Sequence, residues 1–342
     1  MINSKPCERR AVIDVGTNSV KLLVASTGFK PKPVLKLNRQ TRLGQGAFRT
    51  GRLQPEAIAR TVAAVAELAA KAAELRPTSL RILATSATRE AKNGDEFIHA
   101  IRLATGLTVE VISGTQEADY TFRAVMSDPA LGRRPVLVVD VGGGSTEWAV
   151  GEGAFVYFAQ STSLGTSRLL EMFPPADPPT RDDLRRCRGA IADFLRREVQ
   201  PQLRPALSKF CGRPVCLVGL GGGLMSLARL ATKSSTEVTA PILLRKEQLR
   251  EQVERLWRLS LGERKALSGL DPAKADVILA GAVIYETVLS HFNFTELLVC
   301  SCSLASGALM TRPTHAGAQQ LLIPSLNRLR HEQMANQTAA FH

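Results

Sequence analysis

Short apolar segments alternate with glycine-containing turns and longer helical patterns along most of the chain. Residues 11–25 read AVIDVGTNSVKLLVA, in which an apolar strand ends at an aspartate, a turn follows and a second strand returns. Residues 137–151 read LVVDVGGGSTEWAVG, and a shift of 126 positions brings Asp14 onto Asp140. The identical positions are Val12, Asp14, Val15, Gly16, Ser19 and Val24. This repeat predicts two related domains, each of which begins with a β-hairpin.

The remaining pattern supports two α/β domains. A long alanine-rich helix begins at Pro55, and strands and helices then alternate up to about residue 125 in the order β-β-β-α-β-α-β-α. The second half starts again with three strand patterns, and a later helix is predicted over 272–289 with Asp271 as its N-cap. We predict an N-terminal domain over 1–127, a C-terminal domain over 134–312 and a tail over 313–342.

The net charge of +13, from 44 Lys and Arg against 31 Asp and Glu, favours an anionic partner or substrate. A generally basic but soluble surface would give the same balance. The arginines are spread along predicted helices such as 181–204, where acidic residues are interleaved. Basic and aromatic residues do not alternate, and aromatics make up only 5% of the chain, so a nucleic-acid platform of stacking rings is not expected.

Cysteine and histidine spacing excludes the common zinc motifs. The six cysteines form no C-x-x-C pair, and the five histidines form no H-x-x-x-H pair. The first residues lack the apolar core of a signal peptide, and no apolar run approaches the about 20 residues of a membrane span. We therefore expect a cytoplasmic protein that does not bind a membrane.

Three glycine-containing turns follow predicted strands, at 16–19, 142–146 and 219–223. Glycine lets backbone N–H groups approach a phosphate closely, and neighbouring hydroxyl groups add donors. One such turn could simply be a tight hairpin, but three of them favour phosphate binding and place Gly221 and Gly222 among the binding residues. The P-loop pattern is absent, and Leu224 stands where a dinucleotide fingerprint would need its third glycine.

Carboxylates lie beside these turns. Asp14 and Asp140 each end a strand, and Glu147 lies on the returning strand of the second hairpin, where the first hairpin has Lys21. Clustered carboxylates next to phosphate loops suit Mg²⁺ or Mn²⁺, although Glu147 alone could equally be a solvated strand residue. Glu117 lies in the first turn of a predicted helix, where the helix dipole favours the ionised form of a general base. A preference of glutamate for helix starts is the commoner cause of such a position.

Five segments give the sequence a specific resemblance to the exopolyphosphatase/guanosine pentaphosphatase (Ppx/GppA) family, in order between about residues 11 and 310. The segments are 14–23 (DVGTNSVKLL), 84–93 (ATSATREAKN), 111–118 (VISGTQEA), 140–147 (DVGGGSTE) and 275–282 (ADVILAGA). The resemblance implies two RNase H-like domains of the actin-like ATPase superfamily that face each other across a cleft. This agrees with the repeat found from the residues alone.

The resemblance also implies roles for individual residues. Glu117 matches the catalytic base for the attacking water, and Asp140 and Glu147 match acidic catalytic positions that, with Asp14, hold Mg²⁺. Residues of two phosphate loops and one arginine match positions that bind the phosphate chain. They are Asp14, Thr17, Asn18, Ser19, Arg89, Gly142, Gly143, Gly144 and Ser145.

Three departures from the family pattern affect the expected binding of the substrate. Gln116 stands where many members have a second glutamate, which leaves Glu117 as the base of that segment. Lys274 replaces a more usual arginine and gives a point charge instead of a fork of donors. The segment 301–307 lacks the usual Arg-Glu pair before its glycine.

The sequence thus predicts a metal-dependent exopolyphosphatase that acts as a homodimer and removes terminal phosphate from inorganic polyphosphate. Hydrolysis of the 5′ γ-phosphate of guanosine pentaphosphate is the nearest alternative. An actin-like sugar or acetate kinase is a further enzymatic alternative, and a non-catalytic polyphosphate or nucleotide sensor is the alternative from another class.

Overall fold

The computed structural model describes residues 8–26, 32–232 and 241–311. Contacts within these ranges form two compact units: unit 1 contains the residues up to Ser113 and those from Ala308 onward, and unit 2 contains Gly114–Gly307. The division assigns helix 114–126 to unit 2, whereas the sequence-based boundaries place that helix in the first domain. Those boundaries stay a prediction, and the predicted tail 313–342 lies outside the described residues.

Unit 1 contains a five-stranded mixed sheet in the order β3-β2-β1-β4-β5, with β1–β3 antiparallel and β4 and β5 parallel to β1. Its elements are β1 (Arg9–Val15), β2 (Ser19–Ser26), β3 (Lys32–Gln40), α1 (Ala47–Thr50), α2 (Pro55–Glu74), β4 (Ser79–Ala84), α3 (Ser86–Glu90), α4 (Gly94–Thr105) and β5 (Val109–Val111). Helix α2 follows its apolar spacing, because Ala57, Val65 and Leu68 lie on one buried face.

Unit 2 contains a six-stranded mixed sheet in the order β10-β11-β9-β6-β7-β8. Its first elements are α5 (Gly114–Met126), β6 (Val136–Val141), β7 (Thr146–Glu152), β8 (Phe155–Thr162), α6 (Thr166–Met172), α7 (Arg181–Phe194), α8 (Gln200–Leu207), β9 (Cys216–Leu220) and α9 (Gly222–Thr232). They are followed by β10 (Ile242–Arg245), α10 (Lys246–Leu256), α11 (Leu261–Lys265), α12 (Ile278–His291), β11 (Glu296–Val299) and α13 (Leu304–Met310).

The predicted repeat is confirmed in the hydrogen bonds of the two hairpins. The amide of Gly16 donates to the Ser19 carbonyl at 3.0 Å, and the amide of Gly142 donates to the Ser145 carbonyl at 2.9 Å. Both sheets begin with three antiparallel strands and then add two strands parallel to the first, and the sheet of unit 2 ends with β10, which is antiparallel to β11. The two units therefore share a strand plan as well as a sequence motif.

Helix α12 is the central helix of unit 2. Its side chains from Ile278 to Leu289 are all buried, which matches a helix that is apolar on every face. The predicted start at residue 272 is wrong: residues 272–274 form a 3₁₀ turn that Asp271 caps, and α12 begins at Ile278. The Ala275 carbonyl accepts from Arg264 Nε at 3.0 Å, so it is occupied by a side chain where a continuous helix would use it.

Among the helices of the described ranges, none combines the length and the apolar character that a membrane span requires.

Candidate active site

The turn at 142–145 is held from outside by the start of α6. The Thr166 amide donates to the Gly142 carbonyl at 2.9 Å, and the Ser167 amide donates to the Gly143 carbonyl at 2.8 Å. The Arg168 side chain completes the set, because its Nε donates to the Gly144 carbonyl at 2.8 Å. Three successive carbonyl groups of the turn are therefore bonded on one side.

These bonds fix the direction of the amides in the same turn. In a trans peptide the C=O of one residue and the N–H of the next point in opposite directions. Because the carbonyls of residues 142–144 are directed at α6, the N–H groups of Gly143, Gly144 and Ser145 point to the opposite side. Such a row of convergent amides forms an anion-binding concavity of the kind expected for a phosphate.

Close packing explains why glycine occupies this part of the chain. A Cβ atom at Gly165 would overlap the backbone of Gly143 and Gly144, so a side chain there would separate α6 from the turn. The sequence motif TSLGTSR at 162–168 therefore helps to hold the turn 142–145, although it was not among the predicted site residues.

The equivalent turn of unit 1 is built in the same way. The Gly44 amide donates to the Thr17 carbonyl at 2.9 Å, and the Thr41 and Arg42 amides both donate to the Asn18 carbonyl. The amides of Asn18 and Ser19 consequently point away from segment 41–44. The predicted first phosphate loop thus has the backbone geometry for an anion, and its role in binding stays a prediction.

The two hairpins differ in charge at one paired position. In unit 1 the partner of Asp14 across β1 and β2 is Lys21, whose Nζ lies 3.9 Å from Asp14 Oδ2. In unit 2 the partner of Asp140 across β6 and β7 is Glu147. The first hairpin therefore contains an ion pair, and the second places two carboxylates side by side.

Glu117 is the third carboxylate of this group. It lies in the first turn of α5, which packs against β7 and β8, and its side chain is only 7% exposed. Gly114 begins the helix directly against Ser161, because a Cβ atom at residue 114 would overlap the Ser161 side chain. The helix start is thereby fixed to the strand beside Glu147.

Electrostatics shows that the three predicted catalytic carboxylates lie close together. Glu147 is 3% exposed, and burial, together with the negative charges of Glu117 and Asp140, raises its pKa well above the ordinary value of 4.5. Two hydroxyl groups oppose this shift: Ser145 hydrogen-bonds the carboxylate, and Ser161 Oγ donates to Oε1 at 2.7 Å. The site therefore has a deficit of positive charge.

The third glycine turn lies beside the same aspartate. Gly221 has a φ of +108°, and a Cβ atom there would lie 3.5 Å from Asp140 Oδ1. At the next residue, a Cβ atom on Gly222 would lie 3.2 Å from Lys274 Nζ. The structure thus brings Gly221 to Asp140 and Lys274 to Gly222, and Lys274 also forms a 3.7 Å ion pair with Asp271.

Two predicted residues lie in unit 1. Arg89 is in α3, and its Nη1 donates to the Ile112 carbonyl at 2.8 Å, just before the segment that leads to α5. Asp14 is buried, and desolvation raises its pKa while Lys21 lowers it. Contact of Arg89 with a phosphate chain, and metal binding by Asp14, stay predictions.

A preformed cage for a metal is not present in the described ranges, where no three Asp, Glu, His or Cys side chains form a ligand group. Magnesium, however, is usually bound through one or two carboxylates together with substrate phosphates and water. Asp140 and Glu147 fit that arrangement, because they are neighbouring carboxylates whose mutual repulsion a cation would relieve.

Sequence reasoning missed two further side chains at the site. Ser161 hydrogen-bonds Glu147, and the hydroxyl of Tyr285 contacts the backbone on both sides of Asp140. Burial and the charges of Asp140 and Glu147 raise the pKa of Tyr285, so the phenol is protonated at neutral pH. Neither residue belongs to a glycine turn or an acidic motif. Their roles depend on contacts that form only in the folded chain, so no sequence pattern indicates them.

Comparisons with known proteins show the family to which the chain is similar. The model of the Ppx/GppA phosphatase family matches residues 22–313. Exopolyphosphatase 2 of Mycobacterium tuberculosis is 36% identical over 295 residues, which cover 81% of this chain and 89% of that protein.

Two solved structures are similar over nearly their whole length. The crystal structure of the Aquifex aeolicus member of the Ppx/GppA family has 32% identity and a TM-score of 0.72, and 89% of this chain and 97% of that chain are covered. An exopolyphosphatase from Cytophaga hutchinsonii has 26% identity and a TM-score of 0.80 at the same coverage. These likenesses confirm the predicted α/β fold, with two domains of the actin-like ATPase type.

The charge deficit generates a prediction about stability. Because the folded pKa of Glu147 lies above its unfolded value, the folded protein holds the proton more tightly, and stability falls as pH rises above about 4.5. Glu147→Gln removes the free-energy cost of ionising this buried carboxyl group. In metal-free buffer the variant should melt above the wild type at pH 7, by about 2–4 °C for each kcal/mol recovered, and the gain should shrink toward pH 4.5.

Glu152→Gln is the matched control on the same strand. Arg213 pairs with Glu152 and lowers its pKa, so removal of that charge should leave the melting temperature unchanged or slightly lower. Melting curves from pH 4.5 to 8 measure both effects. A lower melting temperature for Glu147→Gln at every pH would mean that the site has no charge deficit.

Proposed function

The chain belongs to the Ppx/GppA phosphatase family, and from this premise we propose that it hydrolyses the terminal phosphoanhydride bond of inorganic polyphosphate. The observation that carries the proposal is the group formed by Glu117, Asp140 and Glu147 next to the outward-facing amides of the turn 142–145. The names of the Mycobacterium tuberculosis and Cytophaga hutchinsonii relatives support polyphosphate as the substrate.

Each part of the site has a distinct role in this reaction. The amides of Gly143, Gly144 and Ser145 bind oxygens of the terminal phosphate and stabilise the charge that grows on them during the displacement. Glu117 accepts a proton from the attacking water. Glu117 lies in the first turn of α5, and the contact of Gly114 with Ser161 fixes that helix start beside Glu147.

Asp140 and Glu147 are the residues that would hold Mg²⁺ or Mn²⁺. A metal bound there would supply positive charge to the phosphate oxygens. Ser145 and Ser161 orient the Glu147 carboxylate through hydrogen bonds. Support for the metal comes from the raised pKa of Glu147, since a bound cation would compensate the repulsion among the three carboxylates.

The proposal includes that the protein acts in the cytoplasm as a homodimer, as the sequence led us to expect. Light scattering on the purified protein tests the dimer, and cell fractionation tests the compartment.

Replacement of the proposed base tests the mechanism. Glu117→Gln keeps the shape of the side chain but removes its ability to accept a proton, so phosphate release from polyphosphate should fall by at least about 10²-fold. Polyphosphate binding should stay within about 3-fold of the wild-type value. Phosphate-release assays and equilibrium binding measure the two quantities.

Asp119→Asn provides the control on the same helix, because Asp119 forms a surface ion pair with Arg123. It should retain wild-type turnover. Near-normal turnover in Glu117→Gln would remove Glu117 from the reaction. The same assay after chelation tests the metal, and full activity without divalent cations would contradict the roles given to Asp140 and Glu147.

The salt dependence of KM distinguishes polyphosphate from guanosine pentaphosphate. A long polyanion displaces counterions from several basic groups at once, and the net charge of +13 gives it many to contact. KM for long polyphosphate should therefore rise more steeply between low and physiological salt than KM for the nucleotide, with kcat little changed. If the KM values for both substrates rise equally with salt and kcat/KM is higher for the nucleotide, guanosine pentaphosphate is the substrate instead of polyphosphate.

A further inference from the structure

The hydroxyl of Tyr285 lies where two strands of the active site end. The side chain projects from α12, is 1% exposed and reaches the ends of β6 and β9. Its oxygen lies 3.3 Å from the Val141 amide, 3.2 Å from the Leu220 amide, 2.9 Å from the Val139 carbonyl and 2.5 Å from the Leu220 carbonyl. One side-chain atom therefore contacts the backbone of both strands.

These contacts use the full hydrogen-bonding capacity of a phenol. The two amides donate to the oxygen lone pairs, and the single O–H proton is shared between the carbonyls of Val139 and Leu220. The parallel pairing of β6 and β9 ends at Asp140 and Leu220. At that last pair, which joins Leu220 to the chain neighbours of Asp140, the hydroxyl adds a side-chain contact that holds the two strand ends together.

The bonded groups surround Asp140. Val139 and Val141 are its two chain neighbours, so the hydroxyl holds the backbone on both sides of the carboxylate. Leu220 precedes Gly221, the residue whose Cβ position lies 3.5 Å from Asp140 Oδ1. The same hydroxyl thus fixes the aspartate and the third glycine turn relative to each other.

We propose that Tyr285 is a positioning residue for hydrolysis, which holds Asp140 and the Gly221 turn in the geometry that the reaction requires. The proposal rests on the proposed function through the role given to Asp140. Tyr285 acts through these backbone groups, and the substrate itself does not contact it.

The sequence of β9 is adapted to this contact. A Cβ atom on Gly219 would lie 3.1 Å from Tyr285 Cε1 and would overlap Leu224 and Leu297. Gly219 is the last-but-one residue of β9 and lies in the strand, before the turn begins. The first glycine of the segment GLGGG therefore makes room for the aromatic ring, and the later glycines form the turn itself.

Tyr285→Phe tests the proposal because it removes the hydroxyl and keeps the ring. The loosened Asp140 backbone should lower kcat for polyphosphate by about 10- to 100-fold, since small displacements of catalytic groups have effects of that size. KM should stay within about 3-fold of the wild type, because the turn 142–145 is held through its carbonyls by α6 and not by Tyr285.

Thr287→Val is the matched control on the same helix. Thr287 is also buried, and its hydroxyl donates within α12 to the Val283 carbonyl at 2.7 Å. This variant loses one buried hydroxyl without any contact to β6 or β9, so its kcat should match the wild type. Equal kcat values for Tyr285→Phe and Thr287→Val would overturn the proposal.

Amide hydrogen exchange followed by NMR gives a readout that does not depend on activity. In the wild type, the Val141 and Leu220 amides should exchange more slowly than those of Gly143 and Gly144, and in Tyr285→Phe this protection should fall at least about 10-fold. Equal wild-type rates at all four amides would overturn the proposal, and so would unchanged protection of the Val141 and Leu220 amides in Tyr285→Phe. A wild-type protein without polyphosphatase activity would contradict the proposed function and leave the exchange result to judge Tyr285.

Discussion

Repulsion among three buried or partly buried carboxylates is the constraint on which unit 2 depends. Burial and the negative charges of Glu117 and Asp140 raise the pKa of Glu147 in surroundings where water screens charge poorly. The same hairpin in unit 1 shows what relief looks like, because Lys21 faces Asp14 there. Where the first hairpin has Lys21, the second has Glu147, and this one exchange gives unit 2 a group of carboxylates whose repulsion a proton or a cation would relieve.

The surrounding structure holds the carboxylates and the phosphate loop in place against this repulsion. Each restraint comes from outside the loop: α6 binds the carbonyls of 142–144, Ser161 binds Glu147, and Tyr285 joins the ends of β6 and β9. Rigid placement matters for phosphoryl transfer, because the protein contributes mainly positioning and electrostatic stabilisation. The closely packed glycines at 114, 165 and 219 let these elements approach, since a Cβ atom at each would overlap a neighbour.

The fold was largely predictable from the sequence, because it depends on local patterns. The repeat gave both hairpins, and the spacing of apolar residues gave the succession of elements in the first half and helices such as α2 and α5, whereas β10 and β11 were not predicted. The start of α12 was not predictable, because the bond from Arg264 to Ala275 joins distant residues. Acidic residues and glycine turns indicated Asp140, Glu147 and the turn 142–145 as site candidates, and the family resemblance indicated Glu117. Ser161 and Tyr285 escaped notice, since ordinary strand and helix residues acquire their roles only through tertiary contacts.

The most direct test of the account is the pKa of Glu147 in the metal-free protein, measured by NMR titration of its side-chain carboxyl carbon. The account predicts a midpoint well above the ordinary value of 4.5, which moves downward in Glu117→Gln because one of the repelling charges is gone. A midpoint near 4.5 that is the same in the wild type and in Glu117→Gln would show that the three carboxylates do not act as one group, and would contradict the account.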